Sequence, residues 1–242
     1  MVATTSPETS AIPGDEVGQG DALSEVVRAS RVAHASGLGA GAWGFIAVRD
    51  AHGRGVWITR SGVGFDEVVV GDIVLVSSVG EVLAGEGEPD EELAVAREVL
   101  AARRDVNVVV HAHSLYASAF AATPGRLHAL SHEGCHLVAP DVVRFRTDGA
   151  ASDLPSEARA VASSLGSRDA LLWSGHGLVM AGRVLGETVA LAVYLEKACR
   201  LQLMVGRDGQ TVSDDEVADK RAGQLRRPTI SWEYLRRVMS TP

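Results

Sequence analysis

The chain is 242 residues long, 46% hydrophobic and 22% charged, with a formal net charge of −8. That length suits one domain or at most two, and the apolar fraction can fill a sizeable core. The acidic balance, with no basic run beyond the pairs Arg226-Arg227 and Arg236-Arg237, excludes a general binder of nucleic-acid phosphates.

Two isolated cysteines, Cys135 and Cys199, imply neither a zinc ribbon nor a disulfide framework, and a reducing cytoplasm is the expected compartment. The start has no cationic segment followed by an apolar one, and no apolar stretch is long enough to span a bilayer. Residues 1–21 read as a disordered tail and 22–242 as one domain ending in a helical extension.

In chain order, Asp21 is placed to cap a helix carrying Leu23, Val26, Val27 and Ala33, which Gly37 and Gly39 end. Short strands are predicted over Gly44 to Arg49, Gly55 to Thr59, Asp72 to Ser77 and Glu81 to Leu83. The period then changes: helix from Glu91 to Arg104, strand from Asp105 to His111, helix from Ser114 to Ala122. A helix from Pro155 to Leu165, a strand from Ala170 to Trp173 and a long helix from Val184 to Val205 follow. Two helical pieces, Ser213 to Arg221 and Ser231 to Met239, flank Pro228. This predicts a single α/β domain, a mixed and mainly antiparallel sheet with helices on both faces.

His111 and His113 close the apolar run Val108-Val109-Val110. Residues two apart on a strand share a face, so both imidazoles converge from the end of a buried strand. His176 sits where the run Ala170 to Trp173 breaks into Ser174-Gly175-His176-Gly177. Three imidazoles with an open position form a common catalytic arrangement for Zn, Mn, Fe or Co, so one divalent ion per chain is expected.

The blocks HAHSLYASAFAA, LSHEG and GHGLVMAGRVLGETVALAVYLEKACR together resemble the class II aldolase/adducin family, supported by VRD at Val48 to Asp50 and ITRSGV at Ile58 to Val63. The resemblance implies the class II aldolase-like fold, a metal held by His111, His113 and His176, and a homotetramer with the site between subunits. It also implies an acidic ligand or base nineteen positions before the His-x-His, where Glu92 stands.

Departures from the family pattern bear on the substrate. Where the family's sugar-phosphate aldolases cradle phosphate with a Gly-Asn, a Thr-x-Ser-Gly and a serine pair, this chain has Gly44-Phe45, Thr59-Arg60-Ser61-Gly62 and Asp90-Glu91. Losing donors and adding two carboxylates disfavours a phosphorylated sugar. Trp43 and Phe45 offer flat walls, Arg60 a fork for a carboxylate, and Ser61 a hydroxyl.

The resemblance, with these departures, leads to a metal-dependent decarboxylase of hydroxylated aromatic dicarboxylic acids of the 3,4-dihydroxyphthalate type, in aromatic catabolism. His132 or Glu92 is then the acid that protonates the ring carbon. The alternatives are an aldolase of an unphosphorylated hydroxy-aldehyde or hydroxy-acid, a non-haem iron oxygenase, and a non-catalytic adducin-like module. No membrane or nucleic-acid partner is expected.

Overall fold

The computed structural model describes residues 16–39, 41–138, 141–147, 154–206, 209, 211–223 and 225–239. The strands are β1 (Gly44–Arg49), β2 (Gly55–Thr59), β3 (Ile73–Ser77), β4 (Val82–Ala84), β5 (Val108–Ala112), β6 (Val143–Phe145), β7 (Ala170–Trp173) and β8 (Gly177–Gly182). The α-helices are α1 (Glu16–Ala35), α2 (Leu93–Ala102), α3 (Leu115–Ala121), α4 (Leu154–Leu165), α5 (Leu185–Val205), α6 (Asp214–Gly223) and α7 (Arg227–Val238).

The strands form one sheet in the order β4-β3-β2-β1-β5-β8-β7-β6. Every pairing is antiparallel except β6 with β7, so the sheet is mixed and mainly antiparallel, as expected. Alternation along the strands sorts side chains to two faces. Ile46, Val48, Val108, Val110, Ala112, Leu178 and Met180 pack in one apolar layer with α1, α3 and α5. Phe45, Ala47, Val109, Leu171, Trp173, Val179 and Ala181 pack in the other with α2 and α4. Because both faces are covered, central β5 is buried throughout, which is why it reads as an unbroken valine run rather than an alternating one.

The sequence reading departs from the structure in several places. Of the tail expected over residues 1–21, residues 1–15 lie outside the described residues and 16–21 are helical instead, because α1 begins at Glu16, so Asp21 is inside the helix and not its cap. Strand β5 starts at Val108 rather than Asp105, because the Arg103 guanidinium grips the Asp105 carboxylate at 2.8 and 2.6 Å and holds that stretch as a turn. Strands β6 and β8 were not predicted. Met180 and Ala181 are weak strand formers, and β8 gains its extended shape from pairing on both sides with β5 and β7. Pro228 does not separate two helical pieces. It occupies the first turn of α7, where its missing N–H has no helical partner to lose.

Among the described residues, no helix is long and apolar enough to cross a membrane.

Candidate metal centre

β5 and β1 run side by side, with Phe45 opposite His111 and Gly44 opposite Ala112. His111 therefore lies on the α2 side of the sheet, and His113 follows it one residue beyond the strand end. His176 arrives from the hairpin turn between β7 and β8. That turn works because Gly177 has φ 140° and a Cβ there would lie 2.0 Å from the Ala112 carbonyl oxygen, so only glycine lets the two chains close to this distance.

Glu92 completes the group. It stands at the residue before α2, makes no side-chain capping bond, and turns its carboxylate to the imidazoles instead. Oε2 is 2.9 Å from His111 Nε2 and 3.6 Å from His113 Nε2, while Oε1 is 2.6 Å from His176 Nε2. One donor atom from each of the four residues falls within 4.8 Å of all the others.

The arrangement fits a cation on its own chemistry. His111 is buried, and its Nδ1–H donates to the Leu178 carbonyl at 2.8 Å, which orients the ring and points Nε2 inward. That nitrogen meets His113 Nε2 at 3.0 Å and a carboxylate oxygen at 2.9 Å. Nitrogens and oxygens gathered this closely from four side chains form a donor set that a cation can share. Three nitrogens and one carboxylate oxygen suit Zn, Mn, Fe or Co.

Burial works against ionisation of Glu92, but hydrogen bonds from His111, His113 and His176 outweigh it and hold the carboxyl far below the usual carboxylate range. Asp90, two residues earlier, behaves oppositely. Burial pushes its carboxyl up to about 6, opposed by the Glu92 backbone N–H that its Oδ1 accepts at 2.9 Å and assisted by the Glu92 charge.

A cavity of about 270 Å³ opens over the donors. His113, His176 and Glu92 form its floor, and Trp43, Ser61, Asp90, Glu91 and Leu154 stand around it. The Trp43 ring is 6.3 Å from that of His113, with the planes 17° apart, and the residue is 60% exposed.

Three expectations require correction. Phe45 is not a pocket wall: it is fully buried in the layer beneath α2, where it supports His111 at 5.5 Å between ring centroids. Arg60 does not line the cavity. Its Nε binds Asp72 Oδ1 at 2.7 Å, and its backbone bridges to Pro89, which commits the side chain to a loop contact. His132 also lies outside the lining, because the neighbouring Glu133–Lys197 pair at 2.8 Å ties its loop to α5 on the opposite face of the sheet.

Leu154 was missed as a lining residue because it comes from the start of α4, and nothing in its local sequence marks it. Trp173 was missed as a neighbour of the donors. Its ring stacks on His176 at 4.1 Å, and an aromatic three positions before that histidine was the available signal.

Comparison with known proteins finds a family model, several relatives and solved structures of similar fold. The family model "Class II Aldolase and Adducin N-terminal domain" matches residues 24–203. The chain is 30% identical over 172 residues to a 5-methylthioribulose-1-phosphate/5-deoxyribulose-1-phosphate aldolase of Rhodospirillum rubrum, covering 71% of this chain and 76% of that one. It is 27% identical over 202 residues to the decarboxylase NovR of Streptomyces niveus, covering 78% and 71%. Among solved structures, an L-fuculose 1-phosphate aldolase from Glaciozyma antarctica aligns with a TM-score of 0.80 at 24% identity, over 98% of this chain and 94% of that one.

Proposed function

The chain belongs to the class II aldolase and adducin family, and from that premise we propose that it is a metal-dependent carbon–carbon lyase that decarboxylates a hydroxylated aromatic acid. The observation that carries the substrate class is the lining of the cavity. Trp43 and Leu154 present apolar surface beside the donors, while Asp90 and Glu91, at the positions the family resemblance assigns to phosphate, line the same cavity. A phosphate there meets two carboxylates, whereas a ring laid against Trp43 loses nothing.

In this proposal Glu92, His111, His113 and His176 hold the divalent ion. When bound, such an ion supplies Lewis-acid stabilisation of the electron pair left behind as the carboxyl carbon departs. Both Glu92 oxygens already face imidazole nitrogens, which favours a ligand role over that of a free base. Trp43 orients the ring, and the Ser61 hydroxyl is available to a substrate oxygen. Asp90 uses Oδ1 on the Glu92 N–H, which leaves Oδ2 as the atom to hold a proton beside the cavity. The engagement of Arg60 with Asp72 removes the reason to expect a second carboxylate on the substrate, so the proposal narrows from a dicarboxylic to a monocarboxylic acid. Assembly as a homotetramer with the cavity at a subunit boundary belongs to the same proposal, and light scattering of the purified protein tests it.

A second reading is aldol cleavage of an unphosphorylated hydroxy-aldehyde. The Asp90 and Glu91 carboxylates and the Ser61 hydroxyl favour it, since they match the hydroxyls of a polyol as well as they repel a phosphate.

The test presents metal-loaded protein with two panels. Carbon dioxide release is measured from hydroxybenzoates, hydroxyphthalates and hydroxypyridine carboxylates, and aldehyde release from free and phosphorylated ketoses. Carbon dioxide from an aromatic monoacid is the expected result. Efficient cleavage of fuculose phosphate or ribulose phosphate, with every aromatic acid inert, overturns the proposal.

A further inference from the structure

His111 and His176 are held in place by different means. His111 is locked by its Nδ1–H bond to the Leu178 carbonyl. The ring of His176 makes one hydrogen bond among the described residues, from Nε2 to Glu92 Oε1, so the nitrogen that would fix its rotation has no backbone partner. Its backbone is fixed by the turn, in which the His176 N–H donates to the Trp173 carbonyl at 3.1 Å, but that bond leaves the rotation of the ring unset.

What faces the His176 ring is Trp173. The two centroids are 4.1 Å apart and the planes differ by 19°, a stacked contact closer than any other ring pair around the donors. The indole is itself immobilised. Trp173 is 1% exposed, and Phe145 meets it edge-on at 5.7 Å and 72°. Its Nε1–H donates to Thr147 Oγ1 at 3.3 Å, and the Thr147 hydroxyl donates in turn to Glu157 Oε1 on α4.

We propose that Trp173 is a positioning residue for His176: its tethered indole face sets the rotation of an imidazole whose ring makes no backbone hydrogen bond, and so sets the affinity and geometry of the centre. The proposal rests on the reading of Glu92, His111, His113 and His176 as a metal centre. In place of the carbonyl or carboxylate that commonly orients a ligating histidine, this chain uses a stack at one of its three histidines. Loss of such an outer contact changes metal affinity by roughly ten- to a hundredfold.

The experiment titrates apo protein with Co²⁺ and reads the visible absorption spectrum, together with the melting temperature of the apo form, for the native chain, Trp173→Phe, Trp173→Leu and Thr147→Val. Trp173→Phe and Trp173→Leu both remove bulk, but only the second removes the flat face. The expected result is native spectrum and affinity within about threefold for Trp173→Phe, and about tenfold weaker binding with an altered spectrum for Trp173→Leu. Thr147→Val keeps the indole and is expected to weaken Co²⁺ binding by about threefold while the apo melting temperature stays put. Native affinity and spectrum in Trp173→Leu, or affinities that simply follow the apo melting temperature across the variants, overturns the proposal. Should Trp173→Leu fail to fold, an unchanged Thr147→Val overturns it instead. Failure of the native chain to take up Co²⁺ is a different outcome: it defeats the metal-centre reading, and the positioning role with it.

Discussion

Glu92 Oε1 and His176 Nε2 lie 2.6 Å apart although 84 positions separate the two residues in the chain. The contact closes the donor group, because the other oxygen of the same carboxylate faces His111 and His113. One glutamate thus joins the entrance of α2, the end of β5 and the β7–β8 turn at a single point.

The first expected consequence is that metal content depends on these residues. His111→Ala should lose the ion and turnover together, since the fully buried ring supplies one of four donors and cannot be replaced by solvent. Glu92→Gln should bind more weakly while retaining the fold. Elemental analysis and melting temperature with and without chelator check both. Full metal occupancy in His111→Ala would contradict the donor assignment.

Trp43 should matter for substrate and not for stability. At 60% exposure it contributes little to the core, so Trp43→Ala should leave the melting temperature nearly unchanged. Loss of a ring-on-ring contact of about 0.5–1.5 kcal/mol should raise KM for an aromatic acid by roughly two- to tenfold. Steady-state kinetics on the best substrate of the aromatic panel provide the measurement, and an unchanged KM counts against the wall.

Arg60 should matter for neither to any great extent. Its side chain is 42% exposed and paired with Asp72, and an exposed pair of this kind contributes about 0–1 kcal/mol. Arg60→Met should therefore keep kcat/KM within about fivefold of native, the margin left by an effect below 1 kcal/mol. A loss of an order of magnitude or more would return Arg60 to substrate recognition.

Asp50 should give the fold a measurable acid sensitivity. This buried carboxylate accepts from the backbone N–H groups of His52 and Arg54, from the Arg54 guanidinium and from the Trp57 indole, tying the β1–β2 turn together. Burial raises its pKa, but those bonds prevail and hold the group at about 2. Against an unfolded value near 3.9, the lowered folded value corresponds to about 2–3 kcal/mol. Because the folded pKa is depressed, that stability is present in full above about pH 4 and is lost as the pH falls toward 2. Asp50→Asn should flatten the dependence of the melting temperature on pH in that window. A native-like slope in the variant would show that another carboxylate is responsible.

Much of the fold was legible because local period and burial agree in this chain. The two strands Gly44–Arg49 and Gly55–Thr59 carry turn residues at both ends, and the valines before His111 mark a strand covered on both faces. Strand β8 was not legible, because its extended form comes from neighbours on both sides and its own residues do not demand it. At the site, the His-x-His spacing and the Gly-His-Gly turn pointed to three of the four donors, and similarity to a family pointed to Glu92.

The sequence by itself determined the class of the domain and the strand end on which two imidazoles converge, since each follows from short-range spacing, whereas the place of Asp90 and Glu91 at the pocket came from the family resemblance. Only the tertiary structure decided what Phe45, Arg60, His132 and Trp173 do. A phenyl ring next to a strand histidine can face the pocket or the core, and the β1–β5 register put Phe45 in the core. A guanidinium takes whichever carboxylate packing brings within reach, and for Arg60 that was Asp72 at 2.7 Å. His132 was carried to the far side of the sheet by a loop tied to α5, and Trp173 was placed on His176 by the closure of a hairpin. The partners of these four side chains depend on which segments the sheet and helices bring together, and that long-range information is absent from any local pattern.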